Sequence, residues 1–326
     1  MKQKIGERQR WVWLASGLTG VTAACTCGLN WVWVLVAAIL VSLYNINMEK
    51  RLPRKGVAEL LPECFGIAGK ILAVPVLLWS VLLMAWSANL VNRAFPMADG
   101  EPILGWTVLA LAAWGGRKGS AACAGCAGVL CMFLLALYGV IAGFAIPDIR
   151  LNNLIPAGGW EDGVAALGIF LLPAAVWYLP GSGSRGKPMW QMVLILPLFA
   201  GGLAVVTSGV LSPLLARSQP AALYTLAKSV SLFGVVERIE PLLSVAVTMG
   251  IFCLLSALNC ACVQLWAQLR PWHWSGIICS AAAAVMMELA GKMSFWVVTA
   301  GTVAAYALLP LVIAIKRPTN SGKTEV

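Results

Sequence analysis

Residues 237–269, ERIEPLLSVAVTMGIFCLLSALNCACVQLWAQL, decide the fold class. Three charges, Glu237, Arg238 and Glu240, stand at the mouth of a run that carries no further charge as far as Leu269. Such a run exceeds the roughly 20 apolar residues that a helix needs to cross a bilayer. In hydrocarbon every backbone N–H and C=O must be satisfied within the chain, so a helix is the form it takes. Glu237 and Glu240 are three residues apart and share one face at the start of that helix, where negative charge is favoured by about 0.3–1 kcal/mol. Arg238 points elsewhere and is free to pair with a loop or a partner chain.

The rest of the chain follows the same pattern. Of 326 residues, 60% are hydrophobic and 11% charged, against roughly 45–50% and about 25% in soluble domains. Breaking the apolar runs at charges, Gly and Pro predicts ten helices, near 11–29, 31–47, 67–91, 103–116, 120–146, 163–179, 189–215, 241–269, 274–290 and 294–315. The expected fold is therefore an all-α polytopic membrane protein, one transmembrane domain over 1–326. A basic leader (1–10: Lys2, Lys4, Arg8, Arg10) has no small-residue cleavage region behind it, so the first run is expected to be a retained span.

Basic residues cluster in alternate loops, at Lys50, Arg51, Arg54 and Lys55, at Arg117 and Lys118, at Arg185 and Lys187, and in the tail 316–326 at Lys316, Arg317 and Lys323. This bias predicts an even number of spans with both termini cytoplasmic. The net charge of +10 then reflects topology and contact with anionic lipid; no basic stripe suited to nucleic acid is present. Residues 147–163 and 217–240 are loops longer than turns need, expected along the outer interface, the second with a short amphipathic helix. Residues 56–65 form its inner counterpart.

Most of the ten cysteines lie inside apolar runs and are expected to pack as small apolar groups. Cys123 and Cys126 have the spacing of a metal or redox pair, but the one histidine, His273, is remote and no second pair complements them. No cofactor is expected. With no paired acids at membrane depth and no phosphate-cradling loop, no enzyme constellation emerges.

Ten helices divide five and five, and an odd half inverts the second relative to the first. In such transporters the first helix of each half is often interrupted near the midplane, where freed backbone groups hold a ligand. The first span carries Gly17-Leu18-Thr19-Gly20, and the sixth carries Gly168 and Pro173, whose missing N–H leaves the Ile169 carbonyl without its usual partner. Gly17, Thr19, Gly20, Gly168 and Pro173 are therefore candidate ligand-binding residues, with Trp86 and Asn89 of the third span as polar neighbours. Packing is the competing reading of each, as it is for Asn259 and Gln264. Glu288 and Lys70 are expected to reach the interface.

The stretch that opens at Phe233, FGVVERIEPLLSVAVTMGIF, resembles the signature of endospore germination permeases, the B-type subunits of nutrient germinant receptors. Residues 52–83 (LPRKGVAELLPECFGIAGKILAVPVLLWSVLL), 112–125 (AAWGGRKGSAACAG) and 146–156 (IPDIRLNNLIP) are similar to that family in the same order. The resemblance implies an amino-acid-permease-like fold in the spore inner membrane. It also implies a small nutrient, typically an amino acid, and partnership with A-type and C-type subunits, for which Glu237, Arg238 and Glu240 are the interface candidates. The chain departs from the family pattern at Val176, where an acid is usual, and at Gly125, where an arginine is. Two other functions stay open on these residues: an autonomous H⁺- or Na⁺-coupled amino-acid or amine transporter, and a structural subunit without its own ligand.

Overall fold

The computed structural model describes residues 5–52, 55–94, 103–156, 158–181, 190–219, 221–229 and 240–316. Its helices are α1 (Glu7–Val21), α2 (Trp31–Arg51), α3 (Val57–Phe65), α4 (Ile67–Ala94), α5 (Ile103–Lys118), α6 (Ser120–Ala145), α7 (Glu161–Leu171) and α8 (Trp190–Leu211). They continue with α9 (Pro213–Ser218), α10 (Ala222–Ser229), α11 (Glu240–Leu269), α12 (Ser275–Val285), α13 (Met287–Gly291), α14 (Phe295–Val303) and α15 (Leu309–Lys316). The described residues include no strand beyond an isolated bridge between Ile5 and Gly181. The chain is all-α.

Among the described residues six helical segments, Trp31–Arg51, Ile67–Asn92, Ser120–Asp148, Glu161–Tyr178, Pro241–Leu269 and Phe295–Lys316, are long and apolar enough to cross a membrane. Together with an exposed surface rich in large apolar side chains, such as Val129, Met132, Leu78 and Val285, they make this an integral membrane protein.

Local chemistry explains the element ends. Asn30 caps α2 through its side chain, which accepts from the Val32 N–H at 3.1 Å, one of the four donors that a helix start leaves free. Ser294 caps α14 in the same way. Gly66, at φ 58°, turns α3 into α4, and Gly119, at φ 100°, turns α5 into α6, conformations that a Cβ would strain. α3 lies where an interfacial helix was expected and buries Val57, Ala58, Leu60 and Leu61. α10 likewise falls within the long loop 217–240.

α11 runs through the middle of the bundle and packs chiefly on α4 and α1. Burial separates centre from periphery: 67% of an 18-residue apolar stretch of α11 is buried, against 28% of the corresponding stretch of α6. α1 is central too, with Trp11, Trp13, Leu14 and Leu18 all buried. The Trp13 indole N–H donates to the Cys253 carbonyl at 2.8 Å, giving a buried donor its partner.

Two expectations change. The α-helix of the first span is regular through Gly17, Leu18, Thr19 and Gly20; it loosens into a π-turn only at Thr22–Thr26. The glycines there serve close helix contact rather than interruption. The sixth segment does depart from α-geometry beside Pro173, where α7 passes into a 3₁₀ stretch, Leu172–Tyr178. The Ile169 carbonyl is not left free, because the Leu172 N–H donates to it. At the start of the described residues α1 begins at Glu7, with Ile5 and Arg10 buried.

Candidate functional site

The sequence-derived site residues fall into two groups. Gly17 faces Pro173 and Leu254 so closely that a Cβ on it would meet both at 3.5 Å, and Gly20 meets Gly250. Thr19 is buried and turns its hydroxyl back to the Ser16 carbonyl at 2.7 Å. This group is a helix-packing seam, filled by protein. The other group converges on α13 and α14. Gly168 abuts Thr299, Asn89 abuts Gly291, and Trp86 makes an edge-to-face pair with Phe295 at 5.8 Å. Glu237 and Arg238 lie outside the described residues; Glu240 opens α11.

Beyond Phe295 and Thr299 lies a cavity of about 200 Å³ at the end of the bundle where α2, α7 and α14 begin. Its wall combines Leu29, Ala165, Phe295, Trp296 and Thr299 with three charged groups, Glu161, Asp162 and Arg217. Asp162 is 3% exposed. Its carboxylate accepts from the Asn30 backbone N–H at 3.1 Å and from Arg217 Nη2 at 3.1 Å. The Asn30 side chain donates to the Gly158 carbonyl at 3.2 Å. These bonds tie the turn before α2, the start of α7 and the α9 segment into one wall. Asp162 also sits in the first turn of α7, where the helix dipole favours an anion.

With Asp162 committed to structure, Glu161 and Arg217 remain as half-open charges of opposite sign. They stand beside the Phe295 and Trp296 rings, and Trp296 is braced by Trp160 at 5.9 Å. A carboxylate can meet the guanidinium, an ammonium can meet Glu161, and an apolar group can lie against the rings. The cavity is smaller than the roughly 300–1,000 Å³ sites of drug-sized ligands, so it has room only for a small solute.

A second polar cluster closes the opposite end. Arg10, 4% exposed, donates to the Leu179 carbonyl and, at 3.5 Å, to the Leu52 carbonyl. Its guanidinium lies 5.7 Å from the Trp177 ring. The Trp177 indole donates to Asn45 Oδ1 at 2.8 Å, and Trp11 packs edge-on against Trp177 at 6.4 Å. Glu7 and Glu49, the latter 7% exposed, are the nearby acids. The chain thus joins the start of α1, the end of α2 and the end of the 3₁₀ stretch through one cation.

Both clusters escaped the sequence reading. The adjacent acids Glu161 and Asp162 at the head of an apolar helix were a usable signal, whereas Arg10 looked like one more charge of a basic leader. Of the remaining expectations, Lys70 and Glu288 are exposed, and Asn259 is buried and donates to the Ala112 carbonyl at 3.0 Å. Cys123 is buried while Cys126 is exposed, and both line one apolar groove beside α6. No protein-family model and no curated protein matches the sequence.

Proposed function

We propose that the chain is the permease-like subunit of a spore germinant receptor. In this reading it binds a small nutrient with the paired charges of an amino acid, and signals with A-type and C-type partner subunits. Ten helical segments cross the spore inner membrane with both termini cytoplasmic, arranged as five and five inverted. The observation that carries the binding part is the cavity in which Arg217 and Glu161 flank aromatic rings. The colinear motifs carry the receptor part.

The ligand then sits at the end of the bundle where α7 starts, with Gly168 and Trp86 bracing its wall, rather than between Gly17 and Pro173. A second reading, a structural subunit without its own ligand, is favoured by the closed seam at Gly17, Gly20 and Pro173. Thermal unfolding of the purified full chain against a panel of amino acids separates the two, since a ligand of the folded state raises its stability. A shift that disappears in Arg217→Gln supports the nutrient site. No shift across the panel, from folded protein, favours the structural subunit.

A further inference from the structure

A larger cavity, about 450 Å³, opens on the membrane face between α5, α6 and α11. Its walls are apolar, with Leu111 and Trp114 on one side, Leu130 on another and Phe252 at the back. The small residues Gly115, Ala122 and Cys123 leave the floor low between the helices. Lys118 is the one charged residue of its lining among the described residues.

The length of the groove identifies an occupant. Lys118 and Val108, both in the lining, are separated by about 15 Å of helix rise. That is about half of the roughly 30 Å hydrocarbon core, the depth of one leaflet. A partner's transmembrane helix would use a face as long as the membrane is thick. Arg117 adds a second cation at the Lys118 end, 5.0 Å from the Trp274 ring, and Trp is the side chain that settles at the level of lipid headgroups. α6 begins at the same end, so the positive end of its dipole adds to the two cations.

We propose that this groove holds an acyl chain of an anionic phospholipid, with the headgroup phosphate held by Lys118 and Arg117. The apolar walls select a chain, and the cations select the charge of the headgroup. The site stands apart from the Asp162 cavity and does not depend on a nutrient being bound there.

Native mass spectrometry of the detergent-solubilised full chain tests it, with phosphatidylglycerol and phosphatidylethanolamine of matched acyl chains added in competition. The expected result is preferential retention of phosphatidylglycerol, with the preference falling about fivefold in each of Arg117→Gln and Lys118→Gln. Cys126→Trp fills the groove from its exposed side and removes retention of both lipids. Should that variant fail to fold, Ala122→Leu makes the same test. Equal retention of the two lipids by the unaltered protein overturns the proposal, as does a preference that survives both charge substitutions. Retention of a second copy of the chain on this face, lost in Cys126→Trp, overturns it in favour of a protein contact.

Discussion

Gly20 of α1 and Gly250 of α11 meet backbone to backbone: a Cβ built on Gly20 would lie 2.5 Å from the Gly250 carbonyl carbon, and one on Gly250 would lie 2.5 Å from the Gly20 Cα. Small residues at such a crossing let membrane helices approach where no hydrophobic force between them exists. Because backbone stands on both sides, no side-chain rotation relieves an added group. Gly20→Leu and Gly250→Leu are expected to destabilise by at least the roughly 1–3 kcal/mol typical of overpacking. Unfolding midpoints in detergent check this, with Gly202→Leu as the neutral control because nothing lies near its added Cβ.

Asp162 and Arg217 predict an asymmetry. Arg217 is half exposed, its side chain retaining 48% of its accessible surface, so its loss costs no more than the roughly 0–1 kcal/mol of a surface pair. Asp162 is buried and also holds the Asn30 N–H. Asp162→Ala strands that donor and is expected to cost about 1–3 kcal/mol. Arg217→Gln should therefore leave the fold intact while removing any ligand response. If it lowers the unfolding midpoint as far as Asp162→Ala does, the ion pair rather than the capped turn holds this end together.

The Arg10 cluster predicts a local effect. Arg10→Ala removes a charge-assisted donor from the Leu179 and Leu52 carbonyls, bonds of a kind worth about 1.5–3 kcal/mol. The Ile5 N–H, bonded to the Pro180 carbonyl at 3.3 Å, should then exchange with solvent faster. Arg10→Lys keeps the charge but loses the planar fork and its place against Trp177, so it rescues only in part. Hydrogen exchange over residues 5–12 reads the difference. Unchanged protection in Arg10→Ala would mean that the bridge from Ile5 to Pro180 holds without the cation.

The helices were legible because each apolar run ends where its chemistry changes, as at Gly119, Gly66 and the Asn30 cap. What the sequence left open was the meaning of its glycines. A missing Cβ allows a helix to break and equally allows another helix to approach, and Gly17 and Gly20 took the second course. Pro173 removes one bond of the α-ladder and the change to 3₁₀ geometry falls beside it, whereas Pro75 and Pro197 sit inside α4 and α8. The two polar clusters were hidden for another reason: Asn30 reaches Asp162 across 132 positions and Arg10 reaches Leu179 across 169. No local periodicity records such meetings.

Cys64 and Cys126 test the membrane placement of α6 directly. Cys64 lies on α3 beside the ion pair of Lys55 and Glu63, 2.5 Å apart and about half exposed, a setting in contact with water. Cys126 is exposed where Cys64 is half-buried, but the surroundings of Cys126 are the apolar groove walls. In single-cysteine variants reconstituted into permeabilised vesicles, a charged maleimide is expected to label Cys64 readily. Cys126 should label at least about tenfold more slowly, because a charged reagent enters hydrocarbon only at a cost of a few kcal/mol. Both should label equally once the protein is unfolded in detergent. Comparable rates in the vesicles would mean that water fills the groove, and the lipid site and the membrane exposure of α6 would be rejected together.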